Sequence, residues 1–243
     1  MIRKAVLLAA GRGARLGALT TTTPKPLLDV AGRPIIEHIV GALDAAAVAE
    51  IAIVTGYLGE QIAEWARTFV ARNKRSRIQT VTQRELNGTA GALTAARDFV
   101  AGETAFIFGW GDILMSCENY PRFVESARAS DADLILTVNR VDDPWRGAAV
   151  YVDANWRVQR VMEKPPRGTS TTNWNDAGLF AATALIWKYV DALRPSARGE
   201  LELPQAIAAM VEDGRDVRAV DVRGFWSDVG TPEDLQIARR NFA

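Results

Sequence analysis

The chain has 243 residues, 48% of them hydrophobic, enough to bury a core of ordinary globular proportions in one domain spanning 1–243. Lysine plus arginine and aspartate plus glutamate both number 29, so no bulk positive field exists to hold nucleic acid, and a small-molecule partner is expected. The single cysteine, Cys117, excludes an internal disulfide and a multi-thiolate zinc centre; nothing points to an oxidising compartment, and a cytoplasmic location is expected.

The first segment, Met1 to Lys4 followed by Ala5-Val6-Leu7-Leu8-Ala9-Ala10, pairs two cations with an apolar run. The run stops at Gly11, too short for a signal core or a membrane span, so no membrane partner is expected and Ala5 to Ala9 is read as a buried first strand. It leads into Gly11-Arg12-Gly13-Ala14-Arg15-Leu16-Gly17, where missing side chains let backbone amides approach a phosphate or a flat base. Ala9, Ala10, Gly11 and Gly13 are the candidate nucleotide contacts at this junction.

The loop is not a dinucleotide fingerprint, because its third glycine falls one place late. The following Thr20 to Pro26 also predicts extended chain in place of the required helix, since each proline disfavours helix in the residue before it. A Walker loop fails as well: Lys25 does not directly follow a glycine, and no Ser or Thr succeeds it. What the loop offers is two flanking cations, Arg15 and Lys25, able to neutralise a triphosphate.

A helix opening at Pro34 places Ile35, Ile36, Ile39, Val40 and Leu43 on one face, with His38 structural. A strand at Ile51 to Val54, ending without an acid to grip a ribose, precedes a helix over about residues 59–70 with Ile62, Trp65, Ala66 and Phe69 inward. Further strands are expected at Ile78 to Val81, Ala105 to Phe108 and Leu134 to Val138. This alternation predicts an α/β fold, a Rossmann-like three-layer α/β/α arrangement with a mostly parallel central sheet and ligands beyond the carboxyl ends of its strands.

Gln83 to Thr89 follows the third strand and opens a small-residue helix; a glutamine amide can donate and accept in one plane, as base-edge recognition requires, and Gly88 admits a close base or ribose. Phe106 to Asp112 is an apolar strand ending in a carboxylate, a hard oxygen ligand suited to magnesium. From about Ala148 the pattern changes to strands with short connections, at Ala149 to Val152 and Val158 to Val161, a small antiparallel excursion expected to carry substrate-binding residues. Helices follow at Leu203 to Val211, where Glu200 and Glu202 favour the helix dipole, and at Pro232 to Arg240, capped by Thr231. Asp228, just before that cap, is the candidate partner carboxylate.

Leu8 to Val30 resembles the signature of the sugar-1-phosphate nucleotidyltransferase family: a strand, Gly-x-Gly-Thr-Arg-Leu, a threonine-containing loop, then Pro-Lys-Pro-Leu. The chain departs with Ala14 for the usual threonine and Gly17-Ala18 where a proline is common, changes that touch loop packing more than charge. The resemblance extends along nearly the whole chain. It implies Mg2+-dependent transfer of a nucleoside monophosphate from a nucleoside triphosphate (NTP) to a sugar 1-phosphate, with Arg15, Lys25 and Asp112 catalytic and the metal on Asp112 and Asp228. It further implies base contacts from Gln83, Gly88 and Thr89, and acceptor contacts from Glu163 and Lys164 of Glu-Lys-Pro, together with Gly147, Asn175 and Asp176. The nucleotide-binding half would run over about 1–112 and the acceptor-binding half over 113–243. Another small phosphate ester, such as phosphocholine or inositol phosphate, could replace the sugar phosphate, and a homo-oligomer is left open. A non-catalytic nucleotide-sugar sensor should have lost part of the charged set, whereas Arg15, Lys25, Asp112, Lys164 and Asp228 are all retained. Because a phosphate is already ionised at neutral pH, no general base is expected, and catalysis rests on positioning and charge stabilisation.

Overall fold

Ala5 to Ala9 are buried in succession, with Ala5, Leu7 and Ala9 in one apolar cluster and Val6 and Leu8 in the other, so the run forms a strand covered on both faces. In a computed structural model, which describes residues 2–72 and 76–242, this strand is β1 (Lys4–Ala9). It is followed by β2 (Asp29–Val30), β3 (Arg33–Pro34), α1 (Ile35–Ala45), β4 (Glu50–Thr55), α2 (Gly59–Arg72), β5 (Arg77–Thr82), α3 (Thr89–Ala95), β6 (Ala105–Trp110), β7 (Ile113–Met115) and α4 (Asn119–Arg128). The remainder comprises β8 (Leu134–Arg140), β9 (Ala148–Val152), β10 (Val158–Glu163), β11 (Trp174–Thr183), α5 (Ile186–Ala192), α6 (Leu203–Glu212), β12 (Val217–Asp221), β13 (Trp226–Asp228) and α7 (Pro232–Asn241).

β1 pairs in parallel with both β4 and β6, β4 with β5, and β8 with β12. β11 runs antiparallel between β6 and β8, and the β9–β10 hairpin hangs antiparallel from its first half. The mostly parallel centre and the antiparallel excursion therefore both match the sequence expectation. One face of the sheet packs Leu7, Ile53 and Ile107 against Ile36, Ile39 and Leu43 of α1; the other packs Phe106, Phe108 and Phe180 against Leu203 and Ile207 of α6.

One local expectation differs in part. The extended path over Thr20 to Pro26 survives at Pro24 (φ −65°, ψ 142°), but Ala14–Thr20 forms 3-10 turns broken at Gly17, and Lys25–Leu27 forms another. Lys25 adopts this turn although it precedes a proline, because the Pro24 carbonyl accepts from Leu27 N–H at 2.8 Å and its own from Leu28 N–H at 3.1 Å. The result is a compact corner that folds Lys25 inward.

Candidate active site

The glycine loop and its surroundings enclose a pocket of about 280 Å³ at the carboxyl ends of β1 and β6, lined by Gly11, Gly13, Arg15, Lys25, Asp112 and Gly230 among others. Gly13 sits at φ 64°, and an added Cβ there would press on Lys25 Cβ and Thr20 Cγ2 at 3.2 Å, so backbone freedom and space are both required. Ala9 and Ala10 are buried beside it, and the Ala10 carbonyl accepts from Tyr57 N–H at 3.1 Å.

Lys25 is 5% exposed, and its Nζ meets Asp112 Oδ2 at 2.7 Å and Asp228 Oδ1 at 3.1 Å. Burial pulls the Lys25 pKa down, but the two carboxylates outweigh it and hold the ammonium above its usual value. Arg15, largely exposed, approaches the other oxygen of Asp228 at 3.6 Å and passes over Gly230, where a Cβ would lie 2.9 Å from the guanidinium. Asp112 follows β6 and Asp228 ends β13, so strand ends from two parts of the chain bring the carboxylates to one ammonium. No set of three or more His, Cys, Asp or Glu forms a metal cage among the described residues. Two convergent carboxylates in a phosphate-sized pocket nevertheless fit magnesium, which takes one or two protein carboxylates and completes its shell with phosphate and water oxygens.

Beyond β5, Gln83 is buried and its amide N–H2 is aimed at the Gly88 carbonyl (3.1 Å) and Asn87 Oδ1 (3.2 Å), bracing the turn. Gly88, at φ 108°, is required by the protein itself: a Cβ would lie 2.5 Å from the Leu201 carbonyl oxygen. Thr89 likewise serves the protein. Its hydroxyl accepts from Leu203 N–H at 3.0 Å, capping α6, while Leu201 exchanges backbone bonds with Asn87 (2.7 Å) and Ala90 (2.9 Å). Glu202 occupies the N-cap position of α6 but makes no capping bond; its carboxylate binds Ser196 and Arg198, which replaces the dipole role read from sequence.

On the acceptor side, β9 lies between β11 and β10, with Ala148 opposite Glu163 and Ala149 opposite Asn175. Lys164 takes the left-handed φ of 43°, costly for a side chain with Cβ, and its N–H donates to the Gly147 carbonyl at 2.8 Å. Glu163 Oε1 is 3.5 Å from both Lys164 Nζ and Arg198; burial lifts its pKa against the pull of these cations, and Glu202 adds to the lift. Asp176 accepts from Gly178 N–H at 2.8 Å, yet burial, helped by the Glu163 charge, raises its pKa to about 7. Asn175 is buried and gives its amide to Asn139 Oδ1 (3.0 Å) and the Asp176 carbonyl (2.6 Å). Gly147 leaves room for that side chain, since a Cβ would lie 2.2 Å from Asn175 Oδ1.

Neither Arg198 nor Gly230 is named as a site residue from sequence: Gly230 had a signal in its place two residues after Asp228, whereas Arg198 reaches Glu163 only through the fold.

Residues 4–243 match the family described as nucleotidyl transferase. The chain is 33% identical over 233 residues to a low-salt glycan biosynthesis nucleotidyltransferase of Haloferax volcanii, covering 96% of this chain and 64% of that protein. It is 32% identical over 234 residues to a glucose-1-phosphate thymidylyltransferase of Streptomyces griseus, with the same coverage. A bifunctional GlmU protein of Methanococcus maripaludis is 28% identical over 98% of this chain and 54% of its own length, so the chain spans about half to two thirds of these relatives. Among solved structures, a putative glucose-1-phosphate thymidylyltransferase from Bacillus anthracis aligns at TM-score 0.85 and 27% identity, covering 98% of this chain and 94% of that one. A UDP-glucose pyrophosphorylase complexed with UDP-glucose aligns at TM-score 0.89 and 20% identity over 99% and 98% of the two chains, a likeness of fold.

Proposed function

Since this chain belongs to the nucleotidyl transferase family, we propose that it joins the nucleoside monophosphate of an NTP to a sugar 1-phosphate, releasing pyrophosphate. The observation that carries this reading is the buried Lys25 ammonium bound by Asp112 and Asp228 inside a glycine-loop pocket. Both carboxylates are thereby aimed where polyphosphate oxygens and a divalent cation would meet. Asp112 and Asp228 would hold magnesium, which when bound supplies positive charge against phosphate oxygens.

The chain's own residues do the rest. Backbone amides of Gly11 and Gly13 approach the phosphates, and Lys25 and Arg15 face the charge that develops on departing pyrophosphate. Lys164 is read as the acceptor's phosphate ligand, with Glu163 and Asp176 taking hydroxyl donors from its sugar. An acceptor phosphate oxygen attacks the α-phosphorus as the bond to the bridging oxygen breaks, and the enzyme's share is alignment and charge compensation. In this reading one domain holds the nucleotide in residues 1–112 and the acceptor in 113–243, with Asp228 lent across from the second half.

The test is pyrophosphate release from UTP, dTTP, CTP, ATP and GTP against a panel of sugar 1-phosphates, phosphocholine and inositol phosphate with Mg2+. The thymidylyltransferase relative puts glucose 1-phosphate with dTTP first in that panel. Release with a sugar 1-phosphate that Asp112→Asn abolishes supports the proposal. Release no greater than that of Asp112→Asn for every pair overturns it, and turnover with phosphocholine or inositol phosphate alone would move the acceptor class.

A further inference from the structure

At rest the pocket is balanced in charge. Lys25 and Arg15 face Asp112 and Asp228, two cations against two carboxylates, so neither cation is in excess. An NTP brings several negative charges, of which one divalent ion offsets part. The glycine loop carries a third cation, Arg12, and among the described residues it has no carboxylate partner; its guanidinium lies over the Tyr57 ring, 5.2 Å from the centroid.

That ring is a fixed platform. Tyr57 donates its hydroxyl to the Thr21 carbonyl at 3.3 Å and its N–H to the Ala10 carbonyl at 3.1 Å, and Gln61 donates to the Thr22 carbonyl at 2.8 Å, so the start of α2 grips both ends of the loop. Gly11 and Gly13 on either side of Arg12 line the pocket, whereas the Arg12 side chain is exposed and turned onto Tyr57. We propose that Arg12 is a third triphosphate-binding cation, parked on Tyr57 in the free protein and drawn over the pocket mouth by polyphosphate oxygens. An exposed cation–π contact holds an arginine weakly, while a guanidinium and a phosphate make charge-assisted, two-pronged hydrogen bonds, so the exchange runs toward the phosphate. Gly11, around which an added Cβ would meet nothing within 4 Å, leaves the loop room for the swing.

The inference rests on the assignment of this pocket to a nucleoside triphosphate. Calorimetric titration with Mg2+ compares the triphosphate that the wild-type protein binds best, among the five above, with its monophosphate. Arg12→Ala is expected to weaken the triphosphate about tenfold and the monophosphate by less than about twofold, and Arg12→Lys to fall between, keeping the charge without the fork. Unchanged triphosphate affinity in Arg12→Ala overturns the proposal, as does equal weakening of both nucleotides, which would mark a distorted loop. If the wild-type protein binds none of the five, the functional reading itself fails and the variant is not the cause.

Discussion

At the scale of single residues, the carboxylates are the most legible part of the site and the most testable. Asp112→Asn should keep the fold, because the amide still accepts from Lys25 and Asp228 retains its own contact, yet turnover should drop on the order of 100- to 1000-fold. Steady-state kinetics beside a thermal melt checks both halves of that statement. Gly230→Ala is a gentler probe: its methyl would displace the flexible Arg15 guanidinium 2.9 Å away, so turnover should fall while stability stays within about 0.5 kcal/mol of wild type. A loss of stability without a loss of rate would remove Arg15 from the mechanism. Asp176 gives a prediction in pH. Its folded pKa of about 7 lies above the ordinary 3.8, so the native state keeps a proton that the unfolded chain releases, and stability declines from about pH 4 to about pH 7. Asp176→Asn, which can still accept from Gly178 N–H, should remove that decline; denaturant melts of the two proteins across this window should diverge as pH rises. Asp112 and Lys25 could be read from sequence because one follows an apolar strand and the other sits between prolines, where local pattern is informative, whereas Asp228 was offered by its place before the Thr231 cap and by the family resemblance. The bonds that Thr89 and Asn175 make within the protein could not be read, since their partners, Leu203 and Asn139, are 114 and 36 residues away.

At the scale of elements, legibility follows burial. β1, β4, β6 and β8 are covered on both faces and spell continuous apolar runs, whereas β11, which crosses the middle of the sheet, begins Trp-Asn-Asp-Ala-Gly and was missed. Its register slips between Asp176 and Phe180 around Gly178, at φ 89°, where a Cβ would lie 2.3 Å from Trp110; a bulge of this kind erases the two-residue alternation and re-aims Asp176. β7 and β13, three residues each, pair only with one another and are too short to show any period. The helix caps divide in the same way. Thr231 was legible because its capping box with Asp234 is local, and Thr231→Ala should cost about 1 kcal/mol, read as a drop of about 2–4 °C in melting temperature. Thr89→Val should cost a similar amount by uncapping α6, and because that bond also ties the Gln83 to Gly88 turn to residues 201–203, triphosphate affinity should fall with it. A melt that falls while nucleotide titration stays unchanged would show the turn to be indifferent to its tether.

At the scale of the whole molecule, strand order was beyond the sequence, because what places β11 between β6 and β8, and β12 outside β8, is the fit of entire faces and not any local signal. A boundary at residue 112, natural along the chain, is crossed in space at many points, among them Asp228 reaching Lys25, residues 201–203 bonding the turn at 87–90, and β11 pairing with β6. The first of these crossings spans 203 residues. During synthesis, the glycine loop and β1 leave the ribosome early, with Lys25 lacking half of its counter-charge until β13 emerges and docks on β7. Loop-closure entropy makes so distant a contact slow to form, so the pocket should be among the last features to mature. An incomplete nascent chain would then lack one of the two carboxylates proposed to hold the metal, so catalytic competence would itself report that translation had passed residue 228.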